Sequence, residues 1–302
     1  MSLVPIKDLM VDARKRKYAV GYFEGWDLET TLAVCVAAEK MNSPVIIGFS
    51  GIYLPQEEKV YKSPLKVFAD IATNVAKNSK VPVSTIYNES PDLESVLECI
   101  EYGYGIVMFS DEHLSFVEQT EKVKLVVEKA HKFHVEVEGE VQAIFCQTAD
   151  NTSKVEAVKD LRITDIKSAE NFIEKTGIDL FAVNLGQAHM HGRVKSHIDL
   201  GKLKELRQVI DLPLVLHGAS SVDENDLVQA IKLGVSKINI GSIMKQAYLN
   251  ELRNACNEIG KNYDPYVLVG SGLNSDVLTR ASIAVQSVVE KYILLFGSSG
   301  KV

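Results

Sequence analysis

Residues 213–242 read PLVLHGASSVDENDLVQAIKLGVSKINIGS. The apolar run Leu214-Val215-Leu216 stops at His217 and a turn of small residues, Gly218-Ala219-Ser220. A helical pattern over 224–233 follows, Gly234 ends it, and a second apolar run over 237–240 stops at Gly241-Ser242. Both runs are continuously apolar instead of alternating. That is the pattern of parallel strands buried on both faces, and the helix between them supplies the crossover that a parallel pair needs.

The same cadence extends outward to both ends of the chain. Candidate strands at 18–23, 44–49, 81–87, 105–109, 135–141 and 180–184 precede these two. Amphipathic stretches at 28–41, 92–102, 117–133, 167–176 and 200–210 lie among them. Asp27 is placed as an N-cap, since its side chain can accept from the first helical N–H groups. Gly103, Gly177 and Gly234 are placed just past helix ends, where a left-handed residue closes the last turn. Eight βα units in about 240 residues predict a TIM (β/α)8 barrel, a single domain over 1–302. Residues 275–296 read as an extra C-terminal helix outside it. No G-x-G-x-x-G follows the first strand, which argues against an open dinucleotide-binding sheet.

Composition narrows the function. Acidic residues outnumber basic ones by 40 to 33, a net charge of −7, so a nucleic-acid partner is not expected. Cys35, Cys99, Cys146 and Cys256 are widely spaced and read as free thiols in a reducing compartment. The N-terminus, MSLVPIKDLM, has no apolar signal core, and no run approaches the length of a membrane span. A cytoplasmic protein with no membrane partner is the expectation.

In a barrel of this kind the chemistry sits where strands end. Those positions hold Glu24, Ser50, Asn88-Glu89, the Glu136, Glu138 and Glu140 series, Gly186-Gln187-Ala188-His189, His217-Gly218 and Asn239-Ile240-Gly241-Ser242. His189 and His217 fall on adjacent strand ends beside small residues, and two imidazoles with a carboxylate suit zinc or another first-row divalent ion. The remaining histidines considered, His131, His134, His191 and His197, read as solvated or capping. The loops at Gly218-Ala219-Ser220 and at Asn239, Gly241 and Ser242 can bring backbone N–H groups close to an anion, as barrel phosphate sites do.

Together these segments resemble the class II, metal-dependent fructose- and tagatose-bisphosphate aldolases. Leu28-Glu29-Thr30, Ala37-Ala38-Glu39 and Asn42-Ser43-Pro44-Val45-Ile46 are similar to that family's first helix and second strand. Gly186-Gln187-Ala188-His189 resembles its Gly-Thr-Ala-His, and Leu214 to Ser220 its Leu-Val-Leu-His-Gly-Gly-Ser. Lys237-Ile238-Asn239-Ile240 resembles Lys-Val-Asn-Val, and Leu295 to Lys301 resembles Leu-Phe-Gly-Ser-Ala-Gly-Lys. The resemblance implies reversible aldol cleavage of a phosphorylated ketose to dihydroxyacetone phosphate or a similar ketone. It further implies a divalent metal, zinc in the family's usual form, held by His189 and His217, and a homodimer or homotetramer. Phosphate or substrate contacts would fall on Ser50, Gly218, Ala219, Ser220, Asn239, Gly241 and Ser242.

The departures cluster at the site. Where the family has His-x-Asp-His, this chain has Ile86-Tyr87-Asn88-Glu89, so the acid/base aspartate becomes Asn88 and a metal-ligand histidine becomes Glu89. The family's Phe-Asn becomes Phe23-Glu24, its glycine after the strand-six histidine becomes Met190, and its Asp-Pro-Arg becomes Asp264-Pro265-Tyr266. That arginine serves a second phosphate in some members, and Arg280 is the residue that would have to replace it. One reading is a working lyase with Glu89 as third metal ligand and Glu24 as acid/base group in place of Asn88. The alternative is a noncatalytic sugar-phosphate-binding relative, acting as a sensor or partner subunit.

Overall fold

The computed structural model describes residues 2–56, 58–62, 64–141, 163–187 and 195–302. Eight strands form a closed barrel of neighbours in chain order: β1 Val20–Gly25, β2 Val45–Ser50, β3 Val83–Ser90, β4 Ile106–Phe109, β5 Glu136–Glu140, β6 Leu180–Ala182, β7 Leu214–Leu216 and β8 Val235–Ile240. Every pairing is parallel, and β8 closes on β1 with Val20 opposite Lys237 and Tyr22 opposite Asn239. All eight strands lie where the sequence pattern predicts them.

The helices described are α1 Ile6–Arg16, α2 Leu28–Lys40, α3 Leu65–Asn78, α4 Leu93–Glu101, α5 Phe116–Ala130, α6 Ile166–Thr176, α7 Leu200–Val209, α8 Glu224–Lys232, α9 Ser242–Asn257, α10 Pro265–Leu268 and α11 Val277–Leu295. Asp27 caps α2 by accepting from the Thr30 N–H at 2.8 Å, and Thr30 completes a capping box. Gly103, Gly177 and Gly234 all have positive φ, as C′ residues should. The C-terminal helix, α11, packs on α2 and α9 outside the barrel. Its end is tied to β1 where Ala19 N–H donates to the Phe296 carbonyl at 3.1 Å. The sequence reading did not include α1, α3, α9 or α10.

Two apolar layers result from the period of two along each strand. Outward residues such as Phe23, Ile47, Tyr87, Val107, Phe181 and Ile238 pack beneath the surrounding helices. Inward residues Val20, Tyr22, Ile46, Ile86, Ile106, Leu180 and Val215 fill the lower barrel. There they meet Ile6, Leu9, Met10 and Ala13 of α1. Those four share one face at i, i+3, i+4 and i+7, so α1 stoppers the N-terminal end. The opposite mouth is left open for polar side chains.

Candidate active site at the barrel mouth

The inward parity that places Tyr22, Ile86 and Val215 in the barrel also turns Glu24, Asn88, Glu138, Glu140, His217, Lys237 and Asn239 toward its axis. Polar residues on these strands thus become neighbours across the barrel, however far apart they are in sequence.

Strand β3 carries the decisive irregularity. Its pairing with β4 shifts register between Tyr87 and Ser90, and Glu89 has φ +51. A left-handed glutamate costs about 1–3 kcal/mol, and such outliers persist where surrounding contacts hold them. The bulge re-aims the chain so that consecutive residues both serve the mouth. Asn88 lies 2 % exposed beside it, and its Nδ2 donates to Glu89 Oε2 at 2.9 Å.

Glu89 Oε1 accepts from His217 Nδ1 at 2.7 Å. The other ring nitrogen, Nε2, donates to Glu138 Oε1 at 2.6 Å, and Glu138 Oε2 lies 2.8 Å from Lys237 Nζ. Lys237 also donates to Asn239 Oδ1 at 2.7 Å and lies over the Tyr22 ring. The side chains of His217, Glu138 and Lys237 are fully buried. Burial by itself pushes the His217 imidazole down, but the Glu89 charge and hydrogen bonds with Glu138 and Glu89 outweigh it and hold it up at about 10. Burial pushes Glu138 up, yet Lys237 and His217 bring it below its ordinary value. For Lys237 burial wins, and the ammonium is held below its ordinary value despite Glu138.

Above this network opens a cavity of about 390 Å3. Glu24, Ser50, Asn88, Glu89, Gly218, Ser220, Asn239, Gly241 and Ser242 all line it, so nine of the residues singled out from sequence converge on one space. Glu24 is ion-paired with Lys245 on the first turn of α9. A Cβ added at Gly241 would lie 2.8 Å from Glu24 Oε2, so a side chain there would displace this carboxylate. Three buried polar atoms in the wall have no hydrogen-bond partner: Tyr22 Oη, Asn88 Oδ1 and Asn239 Nδ2. Unpartnered buried polar atoms are costly in a finished core, and a bound ligand or ordered water would satisfy them.

Residues 4–301 match the family of class-II fructose-bisphosphate aldolases. The chain belongs to that family. Among solved structures it is similar to the YdjI aldolase of Escherichia coli K12, with 27% identity, a TM-score of 0.78 and 99% of each chain covered. It also shares its fold with the fructose-bisphosphate aldolase of Campylobacter jejuni, at 18% identity and TM-score 0.76, covering 100% of this chain and 97% of that one. Class II aldolases are generally divalent-metal dependent and bind phosphorylated sugars.

The residues here fit a metal of that kind. A metal-bound imidazole characteristically gives its second ring nitrogen to a carboxylate, which fixes the tautomer and ring orientation. His217 has that arrangement: Nε2 is anchored on buried Glu138, and Nδ1 faces Glu89 at the cavity edge. The 2.7 Å approach of Nδ1 to Glu89 Oε1 marks a point where positive charge is stabilised. His189, the second histidine expected to ligate, lies outside the described residues, as do Ala188, Met190 and His191.

Among the described residues, a group of three potential ligand side chains lies elsewhere, at His197, Asp223 and Asp226, with ligand atoms within 4.8 Å. Local structure accounts for it. Asp226 accepts from His197 Nδ1 at 2.9 Å and from the Ile198 N–H, while Asp223 caps α8. This agrees with the solvated or capping role read for His197. His131 likewise meets Asp179 at the surface.

Several site residues escaped sequence reasoning. Glu138 and Glu140 were visible on strand five, but nothing local told inward charge from outward. Lys237 read as part of a motif and turned out to be a fully buried counter-ion. Ser110, which donates to Glu140, and the Asp111-Glu112-His113 turn also line the cavity. Lys245 was missed because α9 was.

Proposed function

We propose that this protein catalyses metal-dependent, reversible aldol cleavage of a phosphorylated ketose, releasing dihydroxyacetone phosphate or a closely similar ketone. The observation that carries this reading is the left-handed Glu89 reaching His217, which is itself anchored on Glu138. His217, Glu89 and His189 would hold the ion, with zinc the first candidate. When bound, a divalent metal supplies Lewis-acid polarisation of the substrate ketone.

The chain's own residues supply the rest. Glu138, held by Lys237, fixes the His217 ring from below, within a fully buried layer. Asn88 presents Oδ1 to a substrate hydroxyl and orients it, but an amide exchanges no proton at neutral pH. The proton of the departing aldehyde oxygen therefore needs a carboxylate. Glu24 from β1 and Glu140 from β5 both line the cavity, one held by Lys245 and the other by Ser110. The phosphate would seat on the backbone of Gly218, Ala219 and Ser220, with Ser50, Asn239, Gly241 and Ser242 completing the substrate wall. A homodimer or homotetramer in the cytoplasm is part of the same proposal. Among the described residues, no helix is long and apolar enough to cross a membrane.

Asn88 favours a second reading, a relative that binds sugar phosphates without turning them over. A screen of phosphorylated ketoses for release of dihydroxyacetone phosphate separates the two. Turnover that falls at least about a hundredfold in Glu24→Gln or Glu140→Gln supports the lyase and names its base. Binding of sugar phosphates with no release from any of them supports the second reading.

A further inference from the structure

We infer that the cavity takes a ketose with a single phosphate and an uncharged, hydroxylated tail, and that Glu24 enforces this choice. The inference rests on the ketose-phosphate reading above and specifies its substrate class.

Charge is the first observation. Among the described residues, the lysine and arginine side chains lining the cavity reduce to Lys245, and Glu24 already neutralises it. Space for that pair comes from Gly241, where any side chain would meet Glu24 Oε2. Carboxylates of Asp111, Glu112 and Glu140 line the same cavity. A second phosphate dianion entering here would face several like charges in a partly buried space: Lys245 is already paired, His113 lies beside Glu112, and a divalent ion at Glu89 and His217 would serve the ketone end of the substrate.

The replacement cation considered from sequence is not available either. Arg280 donates through Nε to Glu251 at 2.8 Å, and its guanidinium also pairs with both Glu258 oxygens. Tyr266, at the position of the family's arginine, is 87% exposed and carries no charge to offer.

The second observation is what the wall does offer. Tyr22 Oη, Asn88 Oδ1 and Asn239 Nδ2 are neutral, buried and unpartnered, and all three residues line the cavity. An amide donor, an amide acceptor and a phenol that can act as either match the hydroxyls of a polyol chain. Carboxylates accept hydroxyl hydrogen bonds equally well. A wall of this composition suits an uncharged sugar tail and disfavours a phosphorylated one.

The test is calorimetric titration of the metal-loaded protein with fructose 1-phosphate and fructose 1,6-bisphosphate, and with the tagatose pair, on wild type, Glu24→Gln and Lys245→Met. In wild type at least one monophosphate should bind about tenfold or more tightly than its bisphosphate. Glu24→Gln should narrow that ratio about threefold or more by strengthening the bisphosphate, and Lys245→Met, which leaves Glu24 uncompensated, should widen it. Equal or tighter wild-type binding of the bisphosphate overturns the inference, as does an unchanged ratio in Glu24→Gln or failure of both classes to bind. Release of dihydroxyacetone phosphate is followed separately. If the binding ratio holds while nothing is cleaved, the aldolase reading fails and the specificity stands.

Discussion

The two ends of this barrel are built from the same strands and solve opposite problems. At the floor, Ile46, Ile86, Ile106, Leu180 and Val215 close against the apolar face of α1. Toward the mouth the inward positions are Glu24, Asn88, Glu138, His217, Lys237 and Asn239, with Glu138 beside Leu180 and Lys237 beside Val215 where the two layers meet. The floor gains stability from each side chain it buries. The mouth keeps fully buried charge, a left-handed glutamate and unpartnered polar atoms, all of which oppose folding unless they are compensated or used. Stability and chemistry are thus separated along the barrel axis, and the two ends should respond differently to the same kind of damage.

The largest effect is expected in the charge network. Lys237→Met leaves Glu138 buried with His217 as its remaining partner, and should cost about 3–5 kcal/mol in chemical denaturation. A cost under about 1 kcal/mol would mean that this layer is not electrostatically committed. At the floor, Ile86→Ala opens a cavity and should cost about 2–5 kcal/mol, yet leave metal affinity unchanged. Loss of metal along with stability would show that the two ends are coupled, and the comparison would fail.

Smaller effects are expected outside the barrel. Asp27→Ala removes the capping box of α2 and should cost about 1 kcal/mol, with no change at the mouth. Asp276, the N-cap of α11, gives a pH signature. Burial pushes its carboxyl up, but hydrogen bonds from the Gly272, Thr279 and Leu278 N–H groups outweigh this and hold it below its ordinary value. A depressed carboxylate adds stability that is present above its unfolded value of about 3.9 and is lost as pH falls through the folded value. Asp276→Asn should therefore lower stability most in the neutral region and flatten the acid side of the profile below about pH 4, where variant and wild type converge. An unaltered acid limb would remove Asp276 from the account.

The same contrast explains what the sequence disclosed. Strands such as Leu214–Leu216 are legible because burial on both faces leaves an unbroken apolar run. Helix α2 is legible because Asp27 and Thr30 mark its start. Helix α1 has its apolar face at Ile6, Leu9, Met10 and Ala13, but six charged residues at Lys7, Asp8, Asp12, Arg14, Lys15 and Arg16 disguise a segment that plugs the barrel. At the mouth, His217, Asn88 and Glu89 could be read from motifs at strand ends. Glu138 with Lys237, or Glu24 with Lys245, could not, since each pair forms only when the barrel closes. A charged residue within a strand gives no local sign of whether it faces solvent or the axis. Even His217, read as a metal ligand, owes its orientation to a carboxylate from β5 that no nearby residue announces.

Glu89 and His217 are proposed to share a divalent ion, and zinc affinity of Glu89→Gln against wild type tests this most directly. Protein purified without chelators should carry about one zinc per chain, and competition with a chromophoric chelator should show Glu89→Gln binding it about tenfold or more weakly. Wild-type protein that holds no metal, or a variant that binds zinc as tightly as its parent, would contradict the account.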